Sequence, residues 1–206
     1  MRRTKTNAEQ TRADIILAAE QLFLKNGVAH TSLEQVAREA GVTRGAVYWH
    51  FNNKAHLFNE ILNQIRLPSE QLAEQIGLCS NESSAYVLRN QIIEALQGLA
   101  LNERKRRIFT ILLRRCEFTD DIREAEVRHE IFINTFIDLC TQLFAKLEDQ
   151  QLLREGINAR RAALSVHSMV VGLLHDWLRD PKLFNLEEDI AHMLNALFRG
   201  LIKNWD

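Results

Sequence analysis

Apolar residues recur along this chain with a helical period, and no stretch of useful length alternates as a strand would. The sharpest local pattern lies between Thr31 and Lys54. Leu33, Val36, Ala37 and Ala40 fall at i, i+3, i+4 and i+7, one apolar face of a short helix. Thr31 before that face and Glu34 three residues later read as a capping box. Gly41 then stops the helix, because the position after a helix end favours positive φ. Thr43 is the next cap, and Arg44 to His50 form a second helix. A small residue at the crossing (Ala37), a glycine at the turn (Gly41) and an apolar residue behind it (Val42) fit a helix-turn-helix.

The flanking segments extend this reading. Ile15, Ala19, Leu22 and Phe23 give a first helix over about residues 8–26 its inner face, and Gly27 ends it. Asn52-Asn53 makes a turn, and Asn53 caps a fourth helix over 54–67 whose face is Leu57, Phe58, Ile61, Leu62 and Ile65. Pro68 ends that helix. Beyond it the pattern predicts a short helix over 69–77, a polar loop from Cys79 to Ser84, and helices over 84–101, 104–118, 121–148, 158–179 and 187–204. The expected fold is all-α: a three-helix DNA-binding domain with a helix-turn-helix over 1–54, helix 54–67 as connector, and a larger helical domain over 68–206.

The outer side of the helix Arg44–His50 carries the candidate chemistry. Thr43, Arg44, Tyr48, Trp49 and His50 point outward while Ala46 and Val47 are left to pack. A surface that meets phosphates and base edges uses all of these side chains. Gly45 costs helix stability, which a close approach of backbone to ligand would explain. The bland alternative is a helical hairpin with Tyr48 and Trp49 half-buried in a core. DNA contact is expected at Arg44, Tyr48, Trp49, His50 and Lys54, with Thr31, Ser32, Thr43 and Gly45 as phosphate or backbone contacts. Lys54 in the first turn of its helix opposes the helix dipole, a conflict that a DNA phosphate would remove. Residues 1–8, with Arg2, Arg3 and Lys5, read either as an arm that reaches DNA or as a solubilising terminus.

Charge sharpens the picture modestly. The 206 residues carry a net charge of −1, but residues 1–54 hold +3 and the remainder −4. A basic head on an acidic body fits one end presented to nucleic acid. The three cysteines, Cys79, Cys116 and Cys140, form neither a metal pattern nor a disulfide framework, which suggests a reducing compartment. No signal peptide and no membrane span are present, so the cytoplasm is the expected location. No metal and no cofactor are expected. The seven histidines include no i,i+4 pair, and Glu188 with His192 is the weak exception to an absence of ligand spacing. There is no phosphate loop, nucleophile elbow or CxxC, so an enzyme is not expected.

Thr31 to Lys54 resembles the DNA-binding signature of TetR-family transcriptional repressors. Val42 to Phe58 (VTRGAVYWHFNNKAHLF) is close to the form in repressors of multidrug efflux pumps, the AcrR, TtgR and MtrR type. Arg106-Arg107-Ile108, Arg115 to Asp121, Gly172-Leu173-Leu174 and Trp177-Leu178 are similar to later segments of that subgroup. The likeness is strong over about the first 65 residues and patchy afterwards.

This resemblance implies that the second domain binds ligands and dimerises, and that the partners are an inverted-repeat operator in double-stranded DNA and a small apolar or amphipathic inducer. It places ligand contacts at Ile93, Leu96, Phe109, Leu113, Val171 and His175, with Ile65 where the fourth helix meets the pocket. Phe109, Leu113 and Val171 are apolar where related repressors carry polar residues, so the pocket is expected to be greasier. The last two helices are apolar over more than one stripe and so must bury two faces. The resemblance makes the second face a four-helix homodimer interface. The expected function is a ligand-released repressor, with an activator, a ligand-free DNA-binding protein and an all-α enzyme as alternatives.

Overall fold

In the computed structural model, residues 2–64 and 81–205 are described. The expected Pro68 break, the 69–77 helix, Cys79 and Ile65 lie outside them. The named elements are all helical: α1 (Arg2–Asn26), α2 (Leu33–Glu39), α3 (Arg44–His50), α4 (Lys54–Leu62), α5 (Asn81–Leu101), α6 (Glu103–Arg114), a 3₁₀ turn (Asp120–Ile122), α7 (Arg123–Asp149), α8 (Ala159–Arg179) and α9 (Asp189–Leu201). A single isolated antiparallel bridge joins Leu153 to Ile202 among the described residues.

The chain divides into two compact units. The first takes the described residues up to 64 together with 104–129, and the second takes the rest. In the first unit, Ile15, Phe23, Val28, Val36, Val47, Phe51, Leu57, Phe58 and Ile61 form a core with almost no exposure. Phe23 of α1 meets Phe58 of α4 edge-to-face at 5.9 Å.

The turn between α2 and α3 follows from its residues. Gly41 has φ +66°, Val42 N–H donates to Ala37 O at 2.9 Å, and Gly41 N–H donates to Arg38 O at 3.2 Å. These two bonds satisfy carbonyls that the end of α2 would otherwise leave open. Gly27, at φ +88°, ends α1, and a Cβ there would lie 3.3 Å from Arg115 O.

Local boundaries differ from the sequence expectation at several helix ends, and for three of those that follow the structure shows a physical cause. First, α2 is capped by Ser32 and Gln35, not by Thr31 and Glu34: Ser32 Oγ accepts from Gln35 N–H, and Gln35 Oε1 accepts from Ser32 N–H. Thr31 is buried and donates its hydroxyl to Gly27 O at 2.8 Å, so it closes the preceding turn. Second, α1 begins at Arg2, not near residue 8. Third, α4 ends at Leu62, not at 67, because Gln64 Nε2 takes Glu60 O and Asn63 Nδ2 takes the Glu60 side chain. Such side-chain bonds compete with helix continuation. Fourth, α6 stops at Arg114, not at 118, since Arg115 O is engaged by Val28 N–H at 2.9 Å.

Residues 104–122 are tied into the first unit by charge. Glu20 of α1 has no exposed surface, and Arg104 Nη2 of α6 donates to its Oε1 at 2.7 Å. Arg107 Nε lies 3.5 Å from the other carboxylate oxygen. Arg12 of α1 pairs with Glu60 of α4 and stacks over the Phe51 ring at 5.4 Å. Arg128 donates to Asn63 at 2.7 Å.

In the second unit the core collects Leu88, Ile92, Leu96, Leu99, Cys140, Leu143, Phe144, Val166, Trp177, Ile190, Leu194 and Phe198. Trp205 stacks on Tyr86 at 4.0 Å and leans on Phe198 at 4.9 Å, so the end of the chain packs against α5. Burial pushes the Cys140 thiol up to about 12, so it stays protonated and packs as an apolar group.

Two stability outcomes follow. Gly41→Ala meets no atom within 4 Å, so its penalty is conformational alone. It should destabilise the protein by roughly 1–2 kcal/mol in denaturant unfolding, the difference between left-handed backbone with and without a Cβ. Replacing both Arg104 and Arg107 by Ala strands the buried Glu20 carboxylate. The loss should be about 3 kcal/mol, the low end for an unpartnered buried charge because Arg104 is half-exposed.

Candidate nucleic-acid interface

The second helix of the helix-turn-helix, α3, has seven residues and buries only Val47. Thr43 sits in extended backbone at φ −74° and its Oγ1 accepts from Ala46 N–H at 3.1 Å. Phe51, fully buried, closes the other end through its N–H to Val47 O at 2.8 Å. Held at both ends and by one side chain, α3 leaves Ala46 and His50 half-buried and turns Arg44, Gly45, Tyr48 and Trp49 outward.

The outward residues form one continuous face. Trp49 is 74% exposed and Tyr48 is 44% exposed, which rules out the hairpin reading in which both rings were half-buried in a core. Arg44 and Gly45 are exposed beside them. The Arg44 guanidinium lies 5.4 Å from the Tyr48 ring centre. Hydrogen bonding to Tyr48 holds the Arg44 pKa above its ordinary value. A guanidinium stacked on an aromatic ring loses less freedom when it meets a planar acceptor. Trp49 meets His50 edge-to-face at 4.5 Å. Burial, helped by the Arg12 charge, lowers the His50 pKa, so at neutral pH the ring is uncharged and can both donate and accept.

Ser32 and Thr43 are exposed at the starts of α2 and α3. Each hydroxyl oxygen already accepts a backbone N–H and keeps its own O–H for an outside acceptor. At Gly45 a Cβ would meet only Thr43 Oγ1, at 3.8 Å, so nothing within the protein requires glycine there.

Two expected contacts are placed elsewhere. Thr31 is 1% exposed with its hydroxyl committed to Gly27 O. Lys54 has only 10% of its side chain exposed and directs its ammonium inward, to Val28 O, Ala29 O and Asp121. Sequence reasoning missed Asp121 as the partner of Lys54. The pair is 67 positions apart in sequence, and no local pattern signals it.

The expected ligand positions fall in different settings. In the first unit, Phe109 and Leu113 are half-buried on α6. In the second, Leu96 is buried and Ile93 half-buried on α5, while Val171 and His175 lie on an exposed stripe of α8 with Leu164 and Ser168. The second unit also has an open cavity of about 320 Å³ lined by Ala100, Trp177, Pro181, Lys182, Phe184, Asn185, Leu186 and Glu187, none of them an expected position. Among the described residues, no cluster of three His, Cys, Asp or Glu converges as metal ligands, and no helix is long and apolar enough to cross a membrane.

Comparison with known proteins places this geometry. Residues 15–61 match the model of bacterial regulatory proteins of the tetR family, and residues 84–202 match that of the MAATS-type transcriptional repressor C-terminal region. The chain is 36% identical over 201 residues to the HTH-type transcriptional repressor BepR of Brucella suis, covering 98% of this chain and 96% of that protein. It is 37% identical over 196 residues to the HTH-type transcriptional regulator TtgR of Pseudomonas putida, covering 95% and 93%. Among solved structures, NalD, the secondary repressor of the MexAB-OprM multidrug efflux pump in Pseudomonas aeruginosa, superposes with a TM-score of 0.90 at 53% identity, covering 97% of this chain and all of that one. A complex of SmeT with triclosan gives a TM-score of 0.80 at 31% identity, covering 95% and 93%. With a capped helix-turn-helix that turns a polar-aromatic helix outward, and with relatives matching along nearly its whole length, the chain belongs to the TetR family of bacterial transcriptional regulators.

Proposed function

We propose that this protein represses a multidrug efflux operon and is released from its operator by small apolar or amphipathic molecules. The observation that carries the reading is the outward face of α3: Arg44, Tyr48 and Trp49 exposed together on a helix that buries a single residue. A role at an efflux operon is supported by the similarity to NalD, and small-molecule binding by the similarity to SmeT, whose structure holds triclosan.

In this reading Arg44, Tyr48, Trp49 and His50 meet base edges, while Ser32, Thr43 and the Gly45 backbone meet phosphates. Two copies bind one inverted repeat, because operator symmetry mirrors protein symmetry. The second copy docks on α8 and α9, where Leu164 and Val171 are exposed and Leu173, Met193 and Leu197 are only half-covered. We assign Val171 and His175 to that face.

Inducer must bind better to a form in which the two α3 helices no longer match major grooves about 34 Å apart. A ligand with equal affinity for both forms would shift nothing.

Gly45→Ala separates the folding role of α3 from its DNA role. The protein should gain up to about 1 kcal/mol in denaturant unfolding, because alanine is the better helix former. Operator binding in a gel-shift titration should weaken, because the added methyl blocks the approach of a phosphate. Tighter or unchanged operator binding would remove the α3 backbone from the interface.

Induction is tested by titrating triclosan and a panel of cationic amphipathic drugs into the protein with and without operator DNA. Ligand affinity should fall in the presence of operator by the same factor by which ligand lowers operator affinity, as linkage requires. A ligand held equally well in both states would leave a DNA-binding regulator that is not released by it.

A further inference from the structure

The connection between α8 and α9, residues 180–188, is fastened by its own side chains. Asp180 Oδ1 accepts from Lys182 N–H at 3.1 Å, and Asn185 Oδ1 accepts from Glu187 N–H at 3.0 Å. Both are turns in which an Asp or Asn side chain holds the backbone two residues on. Asp189 Oδ2 accepts from Asn185 N–H at 2.8 Å, and Gln97 Nε2 of α5 donates to Glu187 O at 2.7 Å. Pro181 fixes one further backbone angle. The segment is therefore shaped before anything binds to it, which lowers the entropy cost of binding.

This fastened connection walls the open cavity of about 320 Å³ described above. Trp177 and Leu186 in its lining are 5% and 2% exposed, and Pro181 and the half-buried Phe184 add two more flat rings. The volume lies at the lower end for small-molecule sites, which suits a ligand of one or two rings. Aromatic walls favour an aromatic ligand, because ring pairs gain more than their buried area alone.

Charge narrows the ligand further. Lys182 and Glu187 are the charged residues of the lining, and both are exposed. Neighbouring charges are spent within the protein: Arg179 pairs with Asp176 at 3.3 Å, and the Asp180 and Asp189 carboxylates hold the backbone as above. Among the described residues, no ion pair engages Lys182 or Glu187. A simple cation would meet Lys182 and a simple anion would meet Glu187, each a like charge. A molecule that carries both charges finds a partner for each.

We propose that this cavity binds a small aromatic zwitterion, a molecule of one or two rings that bears an ammonium and a carboxylate, as an aromatic amino acid does. Its ring packs on Trp177 and Phe184, its carboxylate meets Lys182 and its ammonium meets Glu187. None of the ligand positions expected from the sequence lines this cavity, and the proposal does not depend on DNA binding.

The chain has three tryptophans, Trp49, Trp177 and Trp205, of which Trp177 lines the cavity. Its indole N–H signal in nitrogen-labelled full-length protein, identified as the one missing from Trp177→Phe, reports on the site. The probe is L-tryptophan, with tryptamine and indole-3-propionate as relatives that keep one charge each. Titration with L-tryptophan should move the Trp177 signal saturably and leave that of Trp49 in place. Each relative should bind up to about fivefold more weakly, the range of an exposed ion pair. Lys182→Ala should erase the advantage of L-tryptophan over tryptamine, and Glu187→Ala its advantage over indole-3-propionate. Both residues are exposed, so both variants should fold. Ala100→Phe, which adds a ring to the cavity lining, should abolish binding.

A Trp177 signal that does not move overturns the proposal. So does one that moves equally with all three probes and in both charge variants. Saturable binding that survives in folded Ala100→Phe overturns it as well, and where that variant does not fold, the two charge variants decide.

Discussion

A helix of seven residues that buries one side chain has no means of staying in place by itself. Isolated helices below about 12 residues are marginal in water. Yet a helix that reads DNA has to hold its outward side chains in a fixed register, because a misplaced donor forfeits its base. Much of the first unit serves that constraint. Thr43 and Phe51 hold the ends, the Gly41 turn fixes the angle from α2, and Val47 sets the rotation about the axis. Behind them, Phe23 on Phe58 and Arg12 on Phe51 fasten α1 and α4 to the same centre.

The charges in this unit divide by environment. Arg44 is exposed and stacked on an aromatic ring, ready for a planar acceptor. Arg104, Arg107 and Lys54 are engaged by Glu20, Asp121 and backbone carbonyls within the protein. A net of +3 over residues 1–54 therefore overstates what those residues offer to DNA, since Lys54 is neutralised internally. The outward face of α3 itself carries Thr43, Tyr48, Trp49 and the stacked Arg44.

The second unit solves a different problem. Its helices carry more apolar surface than one core can cover. On α8, Ala162, Ala163, Val166, Leu174 and Trp177 go inward while Leu164 and Val171 stay outside. On α9, Ile190, Leu194 and Phe198 go inward, with Met193 and Leu197 between. Two exposed apolar side chains on α8 and two half-covered ones on α9 leave apolar surface that a partner could cover.

The sequence by itself determined the all-helical class, the helix-turn-helix, the caps at Thr43 and Asn53, the glycine turn at Gly41 and the outward face of α3. Each depends on residues within about four positions of one another, the range over which caps, turns and helical faces are set. Where two local solutions compete, the sequence could not choose. Thr31 and Ser32 both suit the start of α2, and only the burial of Thr31 against Gly27 O hands the cap to Ser32. Helix ends at Leu62 and Arg114 were likewise decided by side-chain bonds and by a backbone bond to Val28. The fate of Lys54 lay furthest from view. A lysine at a helix start near a DNA-binding helix reads as a phosphate contact, and nothing local shows that the fold also brings Asp121 within 2.7 Å of it. Ion pairs between distant segments leave no periodic trace, because nothing but the tertiary fold relates their positions.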